Sequence, residues 1–140
     1  MKKTFTLFTL LLSTLIILGQ TPDKMTFQAV IRDASNTLLI NQNIGIQISI
    51  LQGSNTGSSL YIETHSSTSN ANGLVNIEIG TGNVTSGNFT TIDWNNGPFF
   101  IKTETDPLGG SNYTITGTSQ LMSVPFALHA KVAESLISPT

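Results

Sequence analysis

Two histidines and eight Asp/Glu are the first candidates for acid–base or metal chemistry in this 140-residue sequence, which has no cysteine. Two carboxylates held about 5 to 9 Å apart can hydrolyse a glycosidic bond. Among Glu63, Glu78, Asp93, Glu104 and Asp106, the pair Glu63/Glu78 is the candidate, since both fall on strands flanking a turn. Carboxylates on a strand's solvent side are more often simply hydrated, and we expect that here. His65 falls on a strand and His129 on a helix near Lys131. Neither has metal-ligand spacing, and no HExxH or paired-histidine pattern occurs. The serines include no GxSxG elbow. Gly80-Thr81-Gly82 is glycine-rich, but the third glycine is misplaced and no helix follows whose N-terminus could hold a phosphate. Oxygen-rich turns at Asp33/Asn36 and Asp106 have calcium-type ligands without a dense acidic ladder. The expectation is therefore no enzyme, no catalytic or metal-ligating residue and no cofactor.

The remaining candidates are aromatic. Trp94, Phe99 and Phe100 flank the turn Asn95-Asn96-Gly97-Pro98. Adjacent strand residues point to opposite faces, so Phe99 and Phe100 cannot both enter a core. One of them must face the helix, a neighbour or solvent, so these aromatics either fill the core and dock the helix or form, with Trp94, a surface for a sugar or a protein. Three formal glycosylation sequons begin at Asn83, Asn88 and Asn112, as chance allows in a chain this rich in Asn and Thr.

The elements that must position these residues read as β-structure. Residues 1–19 are set apart as a signal peptide: Lys2 and Lys3, an apolar run from Phe5 to Leu18, then Gly19 before Gln20. The run is about 14 residues, short of the roughly 20 that span a bilayer. This predicts an exported, secreted or cell-surface protein with no membrane association after cleavage. Removing Lys2 and Lys3 from six Lys/Arg leaves four against eight Asp/Glu, a net charge of −4. That balance, without a basic cluster, argues against nucleic acid as a partner.

Period-2 alternation predicts strands at Met25–Asp33 and Ile44–Ile50, the latter with Ile44, Ile46, Ile48 and Ile50 on one face. Leu60–Ser66, Leu74–Ile79, a short strand or crossing segment at Phe89–Trp94, Phe99–Glu104 and a long strand over Asn112–Val124 follow. On Leu60–Ser66 the inward face is ambiguous between Leu60/Ile62 and Tyr61. Asn72-Gly73 signals a tight hairpin, and Gly80–Gly87 reads as a loop. About seven strands with Asn/Gly/Pro turns predict an all-β antiparallel sandwich over residues 20–124. Pro125 then opens a short C-terminal helix over 125–138. Its Phe126, Ala130, Ala133 and Ile137 form a narrow apolar seam that would seed a homo-oligomer.

Several of these residues also carry a resemblance. Met25–Asp33, Ile92-Asp93-Trp94, Gly97-Pro98, Phe100-Ile101-Lys102 and Ser123-Val124-Pro125-Phe126-Ala127-Leu128-His129-Ala130 look like an N-terminal domain of secreted Gram-negative surface and tail-fibre proteins. Phe126 and His129 replace tyrosines common there. The resemblance implies a sandwich of the transthyretin or carboxypeptidase-regulatory kind, with Thr68–Leu74 as its characteristic turn. It also implies a helix leading into a stalk or fibre, and it supplies no catalytic residue. The expected function is a secreted, non-catalytic structural module, the base or cap of a surface fibre or adhesin. The alternative is a binding module for a cell-surface glycan or protein that uses Trp94, Phe99 and Phe100.

Overall fold

In the computed structural model, residues 24–122 are described. They form an all-β, sandwich-like fold of two antiparallel sheets. The larger sheet has the order β5-β3-β2-β6-β7, and the smaller one pairs β1 with β4. The strands are β1 (Met25–Val30), β2 (Asn43–Gln52), β3 (Ser59–Thr68), β4 (Leu74–Ile79), β5 (Asn83–Gly87), β6 (Phe99–Asp106) and β7 (Ile115–Gln120). The signal peptide expected over 1–19 lies outside the described residues. So does the helix expected over 125–138, with its seam of Phe126, Ala130, Ala133 and Ile137.

β2 organises the core because it lies at the centre of the larger sheet, bonded to β3 on one side and β6 on the other. Its four isoleucines turn to the inner face and are almost wholly buried, as their alternation predicts. Across from them the smaller sheet contributes Val75, Ile77 and Ile79 of β4. Met25, Phe27 and Ala29 of β1 pack half-buried against the same cluster. Val30, which breaks the alternation of β1, is exposed.

Three local expectations are corrected. The Asn72-Gly73 turn forms, with Asn70 Oδ1 accepting from the N–H groups of Asn72 (2.8 Å) and Leu74 (3.0 Å). The strands it joins do not pair as a hairpin: β3 stays in the larger sheet, while β4 crosses to pair with β1. Residues 83–87, expected to be loop, form edge strand β5. All five are exposed, so no buried face stamps an alternation on them. Of the two forms open to 89–94, a short strand or a crossing segment, the strand does not form. Asn88 caps a single 3-10 turn at Phe89–Thr91, its Oδ1 accepting from Thr90 N. The long final strand is also shorter than expected, covering Ile115–Gln120 only.

Candidate functional site

The three aromatics picked from the sequence do not form one surface. Phe99 lies in the core at 6% exposure, and Phe100 lies half-buried on the opposite face of β6, as strand geometry demands. Trp94 remains 43% exposed. It is fixed by edge-to-face contacts with Phe89 (centroids 5.8 Å apart) and Phe99 (5.0 Å), and Phe89 in turn meets Tyr61 (5.4 Å). The ladder anchors the 88–96 loop to the core. Beside that loop runs a groove of about 290 Å³ lined by Gln52, Leu60, Asn88, Thr91, Ile92, Asp93 and Asn96.

The candidate carboxylate pair is also separated. Glu78 is on the smaller sheet and pairs with Lys24 at the surface (2.8 Å). Glu63 points into the core with 0% exposure. Tyr61 Oη (2.8 Å) and Gly82 N–H (2.8 Å) donate to its Oε2. His65 Nε2 (2.9 Å) and Gly80 N–H (3.0 Å) donate to its Oε1. A carboxylate has no proton to give, so His65 carries its own on Nε2. Burial pushes the Glu63 carboxyl up, but the bonds from His65, Tyr61, Gly80 and Gly82 together outweigh it and hold the group below its ordinary value. Burial, then the Glu63 bond and charge, push the Tyr61 phenol far up. Glu63 thus ties β3 to the turn between β4 and β5. The close fit explains Gly82, where a Cβ would come within 2.6 Å of His65 Nε2 and 2.9 Å of Glu63 Oε2. The Gly80-Thr81-Gly82 turn grips an anion after all, one belonging to the protein.

Each oxygen-rich turn has its carboxylate engaged by nearby N–H groups. Asp33 accepts from Ser35 and Thr37 N–H, and Asp106 from Leu108 (2.9 Å) and Asn112 (2.8 Å) N–H. Those backbone bonds hold the Asp106 carboxyl below its usual range. Asp93 accepts from Asn95 N–H and the Asn96 amide. Among the described residues, no group of three or more His, Cys, Asp or Glu could hold a metal ion.

A second hollow lies where sequence reasoning did not look, on the outer face of the larger sheet. It encloses about 530 Å³. Gln47, Ser49 and Leu51 of β2, Ile62 of β3 and Lys102 and Glu104 of β6 line it, with Asn55, Thr56 and Gly57 of the β2–β3 loop and Ser59 at one end. Lys102 Nζ donates to Glu104 Oε1 (2.8 Å) and Gln47 Nε2 donates to Oε2 (2.8 Å). The Lys102 bond, opposed in part by burial and helped by Gln47, holds the Glu104 carboxyl down. Sequence alternation places Gln47 and Ser49 of β2 on the face away from its isoleucines. It does not tell which strands are neighbours, so the convergence of β2 and β6 side chains was invisible.

Comparisons with curated proteins and with solved structures find no match for the chain. A sequence-family comparison does, over residues 26–121, which takes in all seven strands except the first residue of β1. The chain therefore belongs to the family described as a domain of unknown function, DUF8740.

Proposed function

We propose that this chain is a secreted, non-catalytic structural module: a seven-stranded β-sandwich over residues 20–124, followed by a helix over 125–138 that seeds oligomerisation at the base or cap of a surface fibre or adhesin. The observation that carries the reading is the saturation of Glu63. Among the described residues Glu63 is the carboxylate with no exposure, and it accepts from four donors and ties β3 to the turn between β4 and β5, which is scaffold work. The signal-like leader and the Phe126/Ala130/Ala133/Ile137 seam support export and self-association. Light scattering of the processed protein at high concentration tests the idea. We expect an oligomer that Ala130→Asp converts to a folded monomer. A wild type that stays monomeric ends the stalk reading for this chain.

A second reading, a carbohydrate- or protein-binding module, is favoured by Trp94, an exposed ring already immobilised by Phe89 and Phe99. A ring held in place loses little freedom when a ligand stacks on it. A glycan array read with wild type and Trp94→Ala checks this. Loss of a glycan signal in the variant supports it, and a signal indifferent to Trp94 removes the site.

A further inference from the structure

We infer that the basin on the outer face of the larger sheet is a binding site for a short neutral saccharide, separate from Trp94. Its volume of about 530 Å³ falls within the range of small-molecule sites. What identifies the ligand class is the arrangement of its polar groups. Gln47 stands opposite Glu104 in the β2–β6 register, and Ser49 stands opposite Lys102. Partners across antiparallel strands are about 5 Å apart, and residues two apart along a strand about 7 Å. The four side chains therefore mark the corners of a rectangle with hydrogen-bonding groups on every side.

Those groups are mixed donors and acceptors. Lys102 gives one of its three protons to Glu104 and keeps two. Each Glu104 oxygen takes one bond, from Lys102 or Gln47, and has capacity for another. A sugar hydroxyl donates and accepts at once, so neighbouring hydroxyls can bridge a carboxylate and an ammonium set side by side. The two charges sit 2.8 Å apart and offset one another. An acidic ligand meets Glu104 and a cationic one meets Lys102, whereas a neutral polyhydroxyl compound meets no net repulsion. Ile62, opposite Ser49 in the β2–β3 register, and Leu51, the next outward residue of β2, add apolar lining for ring C–H groups.

The wall is built rather than loose. Backbone bonds close the 52–58 loop, Gly57 N–H to Ser54 O (3.0 Å) and Gln52 N–H to Ser58 O (3.1 Å). A Cβ at Gly57 would strike the Gln52 carbonyl, so only glycine allows the loop to fold this tightly. The basin is thus formed before any ligand arrives, which lowers the cost of binding.

The test is a ¹H–¹⁵N NMR titration of the protein with maltotriose and with diacetylchitobiose, and with sialyllactose as the acidic control. We expect saturable shifts at the amides of Gln47, Ser49, Ile62, Lys102 and Glu104 with at least one neutral probe, and weaker binding of sialyllactose. Affinity should fall about fivefold in Glu104→Gln and in Lys102→Met, each losing about one hydrogen bond to the ligand, while Trp94→Ala leaves it unchanged. A dispersed spectrum in each variant confirms the fold. No saturable response at these amides to either neutral probe overturns the inference. So do shifts indifferent to Glu104 and Lys102, shifts confined to residues 88–96, or tighter binding of the acidic sugar.

Discussion

The two faces of the larger sheet each hold a carboxylate, Glu63 inside and Glu104 outside, and the two do opposite work. Glu63 has 0% exposure and accepts four bonds from a tyrosine, a histidine and two backbone N–H groups. Glu104 keeps 19% of its side chain exposed and accepts two bonds, from Lys102 and Gln47. A buried charge is tolerated only when its bonds are complete, and a charge completed by the protein has nothing left for a ligand. A carboxylate at the rim of a hollow is partly satisfied by water, which a ligand can replace. Bonding completeness therefore separates structural from available groups better than residue type does.

The sharpest way to break this contrast is Glu63→Ala. It strands the Tyr61 hydroxyl, His65 and two N–H groups in the core, and should destabilise the fold by about 3–5 kcal/mol in urea denaturation. A loss under about 1 kcal/mol would mean the network is not structural. Acid should weaken the same lock reversibly. The folded Glu63 carboxyl is held below its ordinary value, so its stabilisation is complete above the unfolded value of about 4.3 and is lost as pH falls through the lower folded value. Thermal melts from pH 7 downward should show a fall beginning below about pH 5. Glu63→Gln should flatten that fall, and an unchanged profile in the variant would assign the acid sensitivity elsewhere.

Tyr61→Phe removes one donor to a charged acceptor and leaves the ring in its aromatic ladder. A cost of about 1.5–3 kcal/mol is expected, and equality with wild type would show that three donors suffice. Glu104→Gln, on the outer face, should change stability by no more than about 0.5 kcal/mol, because an ion pair still partly open to solvent contributes little and glutamine keeps an oxygen for the Lys102 bond. If it cost as much as Tyr61→Phe, the two faces would not differ as argued.

Much of the framework was legible in the residues. Ile44, Ile46, Ile48 and Ile50 announced the central strand, and Phe99/Phe100 had to divide between faces, as they do. The inward face of β3 was not legible. Hydrophobicity favours Leu60 and Ile62, yet Tyr61, Glu63 and His65 share the inner face, because that polar set satisfies itself only once the Gly80–Gly82 turn folds against it. Strand β5 was missed because an edge with no buried face has no pattern to read.

The sequence by itself determined where most strands run and which side chains share a face. Side-chain alternation has a period of two and needs no partner to be expressed. Which strands became neighbours was decided only in the tertiary structure. β4 left β3 for β1, and β6 came to lie beside β2. Strand pairing joins residues far apart in the chain, such as Gln47 and Glu104, through backbone groups identical at nearly every position. No local spacing encodes that choice, so both the Glu63 lock and the outer basin emerge only when the sheets assemble.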